Sequence, residues 1–511
     1  MNKEKTKMTL HPVMSFLILS GITILLSGLL YLLEFQQTVY TINATTLEYS
    51  TELVEITNVF SLEGLKYIFS STVSNFVNFA PLSSLIIILI GFGVMEKSGF
   101  LKTAITFLTK KMKKNTVTFI LVFMSVIASV MGEISYIIIL PLSAAIFKYG
   151  KRNPALGLIA AFAGLTCGSG ISFIFTSIDS SLLSQSLLAA RVIDINYRMA
   201  SISAIFIMAV AVILLSFIIT WITENVIAKR LNNVVNEDEE NEDKLLTRRE
   251  LRGLLFALFA ASLYVIIILY NIIPGLPFSG NLLDNTQILY IDKLFSYNSF
   301  FSNGFVFVVS MFFLLLGLFY GLGARTIKNN KDFVDALGHS LDGIGKTLVI
   351  ILAASLFISI FKYSNIGTVI VAYLTSLFRN INFQGLPLVI LLFVVSAIAT
   401  IFIPTSITKW SIIAPTVVPV FMNAGITPEF AQVIFRFGEG ITMGLTPIMA
   451  YFVIYLAILD KNNPEEKPIS LWQGIKFQVP YAVATAIVLL VLIVLWYIIG
   501  LPLGINGSTV L

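Results

Sequence analysis

The sequence has little charge and almost none of the residues that form disulfides or zinc sites. Of its 511 residues, 12% are charged, one is cysteine and two are histidine. The single cysteine, Cys167, excludes an intrachain disulfide. His11 and His339 are too far apart for a zinc-ligand spacing, which argues against a zinc-dependent membrane protease. Glycine-rich nucleotide loops and paired catalytic motifs are also absent, so we expect neither an enzyme nor an ATP-driven pump within this chain.

Hydrophobic residues, by contrast, make up 57% of the chain, and its mean hydropathy is +0.90. A soluble domain of this length would expose far more charge. Apolar runs of about 18 residues or more, enough to cross a hydrocarbon core of roughly 30 Å, recur along the chain. Lys and Arg gather in short loops beside these runs, so the net charge of +5 reflects membrane topology and not nucleic-acid binding. The sequence predicts a polytopic protein of the lipid bilayer.

The apolar runs predict about nine transmembrane helices. They lie at residues 15–33, 81–97, 154–175, 199–222, 253–273, 300–323, 347–378, 429–456 and 480–500. An amphipathic segment at 62–79 follows a polar stretch. A charged linker at 224–252, with acidic residues between 237 and 243, separates an N-terminal half (1–223) from a C-terminal half (253–511). The basic loops place the N-terminus in the cytoplasm and the C-terminus outside.

Two further apolar stretches are interrupted in the middle and predict re-entrant hairpins. Residues 117–147 contain Gly132, Glu133 and Pro141, and basic residues flank both ends, so both ends face the cytoplasm. Residues 388–422 are broken at Pro404 and enter from the opposite side. Opposed hairpins indicate an inverted repeat. The spacing Pro141, Pro154, Gly164 recurs as Pro415, Pro428, Gly438. The predicted fold is therefore an all-α membrane protein with two opposed re-entrant hairpins and an inverted repeat.

Polar and ionisable residues at membrane depth are the candidates for a transport site. Placing an ionisable group at that depth costs several kcal/mol, so such groups persist where they are paired, hydrated or functional. Broken helices also expose backbone groups that bind ions. The candidates are Glu133, Ser172, Asp179, Lys362, Thr405, Ser406, Lys409, Trp410, Arg436 and Glu439.

Each candidate also has a structural interpretation. A carboxylate such as Glu439 could be neutralised by Arg436, one helical turn away. Asp179 could lie at a helix end, and Trp410 could serve packing alone. The cluster Gly168-Ser169-Gly170 could mark a close helix contact. A lysine at mid-span, as Lys362 is, must snorkel, lose its proton or find an anion.

Six motifs give the chain a family resemblance. They are Asn78-Phe79-Ala80-Pro81-Leu82, Gly93-Val94-Met95-Glu96-Lys97-Ser98-Gly99, Pro141-Leu142-Ser143-Ala144-Ala145-Ile146-Phe147, Lys409-Trp410-Ser411-Ile412-Ile413-Ala414-Pro415, Pro428-Glu429-Phe430 and Arg436-Phe437-Gly438-Glu439. Because it contains these motifs in this order, the sequence resembles the AbgT (p-aminobenzoyl-glutamate) transporter family over almost its whole length. The resemblance implies nine crossings and two opposed hairpins in a bowl-shaped homodimer of the bacterial cytoplasmic membrane.

The resemblance also implies a function and a set of site residues. It implies transport of p-aminobenzoyl-glutamate and related folate-pathway compounds, including sulfonamide efflux, driven by a sodium or proton gradient and without another cofactor. Family site residues fall on Asp179, Trp410, Pro428, Arg436 and Glu439. Thr405, Ser406 and Ser172 are expected to line the substrate path, with Glu133, Asp179, Glu439 and Lys362 in ion coupling. Transport direction is left open.

The sequence departs from the family at several positions. The family usually has Asp where Glu133 and Glu439 stand, and it favours Asn near Thr400, Ser172 and Met443 and at Lys362. Lost amide oxygens weaken a sodium site near Glu439, because hard cations prefer oxygen ligands. A fixed ammonium at Lys362 could take the electrostatic role of sodium, which favours proton coupling. A sodium-coupled dicarboxylate carrier and a gated channel remain alternatives.

Overall fold

A computed structural model of the protein describes residues 10–231, 246–380, 383–463 and 468–511. The acidic residues at 237–243 of the predicted linker lie outside these ranges. The helices, in chain order, are α1 Pro12–Leu32, α2 Leu62–Val77, α3 Ala80–Lys97, α4 Phe100–Thr109, α5 Lys114–Ala128, α6 Ile134–Tyr149, α7 Pro154–Cys167, α8 Ser177–Ala190, α9 Ile205–Ile222, α10 Ala228–Arg230, α11 Arg248–Ile272, α12 Tyr290–Phe295, α13 Phe300–Ala324, α14 Asn330–Gly338, α15 Ile344–Tyr363, α16 Ile366–Asn380, α17 Leu386–Phe402, α18 Ser406–Asn423, α19 Pro428–Met443, α20 Ala450–Lys461 and α21 Leu471–Ile499. The strands are β1 Gln36–Ile42 and β2 Tyr49–Glu55.

The described chain is mostly helical, and eight of its helical segments are long and apolar enough to cross a membrane. This confirms the prediction of a multi-pass membrane fold. Helix α13, for example, coincides with the predicted crossing at 300–323 to within one residue. The amphipathic segment predicted at 62–79 is α2. The count of nine crossings stays a prediction.

Both predicted hairpin segments consist of two helices joined at a break. Helix α5 gives way to a short 3-10 turn and then to Gly132, whose φ of +59° ends the helical geometry before α6 begins. Helices α17 and α18 are separated around Pro404, which has no amide hydrogen to continue a helix.

Three segments predicted as unbroken crossings are also interrupted. Helix α7 ends at Cys167 and is followed by Gly168 and by Gly170, whose φ is +74°. Helices α15 and α16 are separated at Asn365, with φ +59°. Helices α19 and α20 are separated by a segment that contains Pro447. Hydropathy alone does not reveal these breaks, because each polar interruption is only a few residues long and apolar residues resume beyond it.

The prediction of an all-helical chain is wrong for the polar stretch after α1. There β1 and β2 form an antiparallel two-stranded sheet in which Gln36 pairs with Glu55 and Ile42 with Tyr49. The turn between the strands is held by the Asn43 side chain, whose Oδ1 accepts the amide of Thr45 at 2.8 Å. The segment is rich in Thr, Tyr and Val, which favour strands, and this was the sequence feature that could have revealed it.

The small sheet packs against α16 and α18. The Arg379 guanidinium lies 3.9 Å from the centre of the Tyr40 ring. The Tyr49 hydroxyl donates to the carbonyl of Pro415 at 3.3 Å. That carbonyl would otherwise accept the amide four residues later in α18, but residue 419 is also a proline and has none. The sheet thus satisfies a helix carbonyl that the sequence leaves free.

The two helices at the centre of the fold are α7 and α19. All but the first residue of α7 are buried, and residues 158–163 are completely inaccessible. Helix α7 contacts α5, α6 and α19, and α19 contacts α17, α18 and α7. Likewise, α8 packs against α18, and α20 packs against α6. The helices α5 to α9 therefore contact one another in the same pattern as the helices α17 to α21 do. The contacts between the two series match as well.

Candidate functional site

A cavity of about 930 Å³ lies where both hairpin breaks meet the breaks after α15 and α19. Its wall includes Glu133 from the break between α5 and α6, Thr405 and Ser406 at the break between α17 and α18, Lys362 from α15, and Tyr451 from α20. Met443, one of the family departures, also contributes to the wall. This volume falls within the range of small-molecule binding pockets. The structure thus brings four of the predicted site residues to one cavity.

A second, smaller cavity of about 70 Å³ lies beside the break after α7. It is lined by Ser172, Asp179, Glu429, Gln432 and Arg436, among others. The Ser172 hydroxyl accepts the amide of Ile174 at 2.9 Å, so it helps to fold the segment that borders this space.

A cluster of four charged side chains lies at the wall between the two cavities. Arg436 donates from Nη1 to Ser406 Oγ at 3.0 Å and to Glu439 Oε1, and its Nη2 lies 3.5 Å from Asp179 Oδ1. Lys409 Nζ lies 3.1 Å from Glu439 Oε2. The two cations balance the two carboxylates. Glu439 is therefore neutralised by Arg436, as its structural interpretation predicts, and also by Lys409, which contacts its other carboxylate oxygen.

Gly170 allows Arg436 to occupy this position. A Cβ atom on Gly170 would lie 2.1 Å from Arg436 Cζ, and the φ of +74° is a conformation that other residues rarely adopt. The Gly168-Ser169-Gly170 cluster is thus more than a helix contact. Gly170 lets its backbone lie close to the Arg436 guanidinium, so that the guanidinium has room to reach Asp179.

Asp179 has a structural role as well as its contact with Arg436. Its Oδ2 accepts the amide of Thr176 at 3.0 Å and the Thr176 hydroxyl at 2.7 Å, while the Asp179 amide donates to Thr176 Oγ1. This reciprocal pair is a capping box that begins α8. Asp179 therefore lies at a helix end, and its other oxygen faces Arg436.

Trp410 and Pro428 line neither of the two cavities. Trp410 is fully buried, its ring lies 4.4 Å from that of Phe435, and its Nε1 donates to Ser186 Oγ at 2.9 Å. Pro428 is the first residue of α19, where a missing amide hydrogen costs nothing. In this conformation both residues shape the helices that carry Lys409 and Arg436.

Comparison with known proteins identifies the group to which the chain belongs. The AbgT putative transporter family matches residues 4–511. The chain belongs to this family. It is 27% identical over 451 residues to the p-aminobenzoyl-glutamate transport protein of Escherichia coli (strain K12), covering 88% of this chain and 86% of that protein. The protein is accordingly a multi-pass membrane transporter and not an enzyme.

Two solved structures are similar. The crystal structure of the Alcanivorax borkumensis YdaH transporter is 23% identical, with a TM-score of 0.48, and the match covers 97% of this chain and 100% of that one. The structure of Neisseria gonorrhoeae MtrF, described as illuminating a class of antimetabolite efflux pumps, is 26% identical, with a TM-score of 0.48 and 98% coverage of both chains.

The residues around Glu439 in this transporter do not suit a sodium ion. Both Glu439 Oε2 and Thr400 Oγ1 contact the Lys409 ammonium, the latter at 2.6 Å. A sodium ion would need those oxygens, and it would bring a third positive charge beside Arg436. No group of three or more His, Cys, Asp or Glu residues that could hold a metal ion occurs in the described part of the chain. It is Lys409, and not Lys362, whose ammonium lies against the Glu439 carboxylate.

One buried acid was named only as part of a family motif and not as a site residue. Glu429 is 5% exposed and borders the smaller cavity. Its Oε2 accepts the Tyr197 hydroxyl at 2.7 Å. An acidic residue in the first turn of an apolar helix was the available sequence feature, but helix N-termini commonly carry acids for capping alone.

Proposed function

We propose that this transporter is a secondary carrier of p-aminobenzoyl-glutamate or a related aromatic compound of the folate pathway, sulfonamides included. The observation that carries the proposal is the wall between the two cavities. Ser406 lines the larger cavity, Arg436 lines the smaller one, and the two side chains are hydrogen-bonded to each other. One layer of side chains thus separates the two cavities, which suits a carrier with a closed path better than a channel.

The substrate assignment is supported by the similarity to the Escherichia coli relative and by the chemistry of the wall. Arg436 could bind a substrate carboxylate through its planar guanidinium if Asp179 or Glu439 released it. The larger cavity has the volume for an aromatic solute, and its wall includes Tyr136 and Phe361. Aromatic rings of this kind offer large apolar surfaces to a flat ligand.

For the driving force we favour a proton gradient over a sodium gradient. Lys409 already occupies the oxygens that a sodium ion near Glu439 would need. Carboxylates that line or border the cavities, such as Glu133 and Glu429, are groups that a proton can reach.

The proposal includes a membrane topology. Nine crossings and two opposed re-entrant hairpins, α5–α6 and α17–α18, would be related by an inverted repeat, with the N-terminus in the cytoplasm of a bacterial cell. The matching contacts of α5 to α9 and α17 to α21 support this, because α8 packs on α18 as α20 packs on α6. We also propose a homodimer, as the family resemblance implies.

Flux into proteoliposomes tests the function. Purified protein is expected to transport labelled p-aminobenzoyl-glutamate in a saturable manner when a pH gradient is imposed, and Arg436→Ala is expected to abolish this flux. Succinate serves as the competing dicarboxylate, and sulfanilamide as the sulfonamide. Transport of succinate alone would show that the substrate is wrong. A current that reverses at an ion's equilibrium potential without saturation would indicate a channel.

A further inference from the structure

Lys362 is a cation in the larger cavity with no partner in the described part of the chain. It lies in the last turn of α15, its side chain is exposed, and it belongs to the cavity wall. No hydrogen bond or ion pair to its ammonium is formed by the described residues. A basic side chain that faces a cavity at membrane depth, with nothing to neutralise it, has room for an anion from outside the protein.

The backbone around the same cavity adds partial positive charge. Helices α3, α18 and α20 begin at its wall, with Phe79, Thr405 and Met449 at their N-caps. None of these three N-caps makes a side-chain hydrogen bond to the first turn. In α18 and α20 the amides before the first intrahelical hydrogen bond remain available, whereas α3 contributes fewer, because Pro81 has no amide hydrogen and the Leu82 amide donates to the carbonyl of Phe79. Together with the helix dipoles, these amides favour a negative group in the cavity that Lys362 lines.

Glu133 is the other charged residue in the wall of this cavity, and it is not paired with Lys362. Its Oε2 accepts the Tyr451 hydroxyl at 2.9 Å. Its side chain is exposed, and it forms no ion pair in the described part of the chain. The cavity therefore presents one positive and one negative group that do not neutralise each other by contact. The remaining wall combines aromatic and apolar side chains with uncharged polar ones such as Asn75, Thr405 and Ser406.

We propose that Lys362 and Glu133 bind opposite ends of the transported solute. Lys362 holds a carboxylate, and Glu133 accepts a hydrogen bond from an amino group. This inference rests on the proposed function and narrows it to aromatic solutes with a carboxylate at one end and an amine at the other, as p-aminobenzoyl-glutamate has. A plain dicarboxylate fits poorly, because its second carboxylate would face Glu133.

Binding to the purified full-length protein, measured by calorimetry, tests this with three ligands. p-Aminobenzoyl-glutamate carries both end groups, benzoyl-glutamate lacks the amine, and p-aminobenzamide lacks the carboxylates. Lys362→Met should weaken binding of the first two ligands about tenfold or more and leave the third unchanged. Glu133→Ala should weaken binding of the first and third ligands and leave benzoyl-glutamate unchanged. Lys362→Arg should restore most of the affinity.

The matched control is Lys346→Met, an exposed lysine on the same helix that does not line the cavity. It should bind all three ligands as the unmodified protein does. The inference would be wrong if Lys362→Met weakened the binding of p-aminobenzamide as much as that of benzoyl-glutamate. It would also be wrong if the substitution weakened the binding of neither p-aminobenzoyl-glutamate nor benzoyl-glutamate. In both cases the proposed function would stand. If the unmodified protein failed to bind p-aminobenzoyl-glutamate, the proposed substrate and this inference would both be overturned.

Discussion

Lys409 Nζ lies 3.1 Å from Glu439 Oε2, and neither side chain is exposed to solvent. The pair joins α18 to α19 and belongs to the charged cluster at the wall between the two cavities. Burying two such charges is costly, so each depends on the other, and Glu439 depends on Arg436 as well. The pair therefore makes the position of α18 relative to α19 sensitive to any change in charge at the site.

Removing one member of this pair should destabilise the protein strongly. Lys409→Met leaves Glu439 with a lone cation partner and should lower the free energy of unfolding by about 3–5 kcal/mol. The double variant Lys409→Met/Glu439→Gln should recover part of the loss, since no buried charge is then uncompensated. Thermal melting in detergent measures both, with Lys346→Met as the exposed control. Equal stability of the single and double variants would contradict charge coupling.

Gly170→Ala should impair transport through Arg436. The new Cβ would occupy the space of the guanidinium, so Arg436 must leave Asp179. We expect proteoliposome flux to fall at least tenfold. Gly343→Ala is the control, because Gly343 has nearly the same φ of +75° but open space around its Cβ position. Comparable flux losses in the two variants would point to backbone strain and not to displacement of Arg436.

Trp410 and Arg436 should respond differently to substitution. Trp410→Ala removes a fully buried ring and should cost about 3–5 kcal/mol of stability, whereas Trp410→Phe keeps most of the packing and should retain most of the flux. Arg436→Lys keeps a charge but cannot reach Glu439, Ser406 and Asp179 together, so flux should be lost in a folded protein. A Trp410→Phe protein that folds normally yet transports nothing would instead place this ring in the substrate path.

Replacing sodium with choline should leave transport intact. Flux of p-aminobenzoyl-glutamate at a fixed pH gradient should change less than twofold, because Lys409 occupies the oxygens near Glu439. Collapsing the pH gradient with a protonophore should reduce the flux to background. The opposite pattern, with flux dependent on sodium and indifferent to pH, would refute proton coupling.

The topology can be tested by labelling single engineered cysteines. The native Cys167 is buried, so it should contribute little background. Cysteines at Asn115 and Asn153 should both react from the cytoplasmic side, and those at Gln384 and Asn423 from the outside. Labelling of either pair from opposite sides would rule out the two-hairpin arrangement.

The sequence allowed the long helices and the hairpin breaks to be predicted, because these depend on local properties. The apolar run of α13 and the interruption at Pro404 needed no knowledge of the rest of the chain. Hydropathy does not predict the break at Asn365, because the polar interruption from Lys362 to Asn365 is short and lies between two longer apolar runs. Hydropathy does not predict the sheet of β1 and β2 either, because its two short strands are mostly polar and only their Thr, Tyr and Val content favours strand structure.

The site residues could be proposed from the sequence, but their partners could not. Arg436 and Glu439 are three residues apart, so their contact follows from helix geometry. Lys409 is 30 residues before Glu439, and its contact depends on how α18 packs against α19. Lys362 was expected to offset a buried carboxylate, but the fold directs it to the cavity, and Lys409 supplies that charge.

The sheet formed by β1 and β2 has a consequence for the motions that transport requires. It contacts α18 through the hydrogen bond from Tyr49 to Pro415, and α16 through Arg379 over the Tyr40 ring. Sliding of α18 past α16 would break at least one of these contacts. Helix α18 should therefore travel with α16 and the sheet as one rigid unit, and the hinges should be sought at the ends of that unit, not within it.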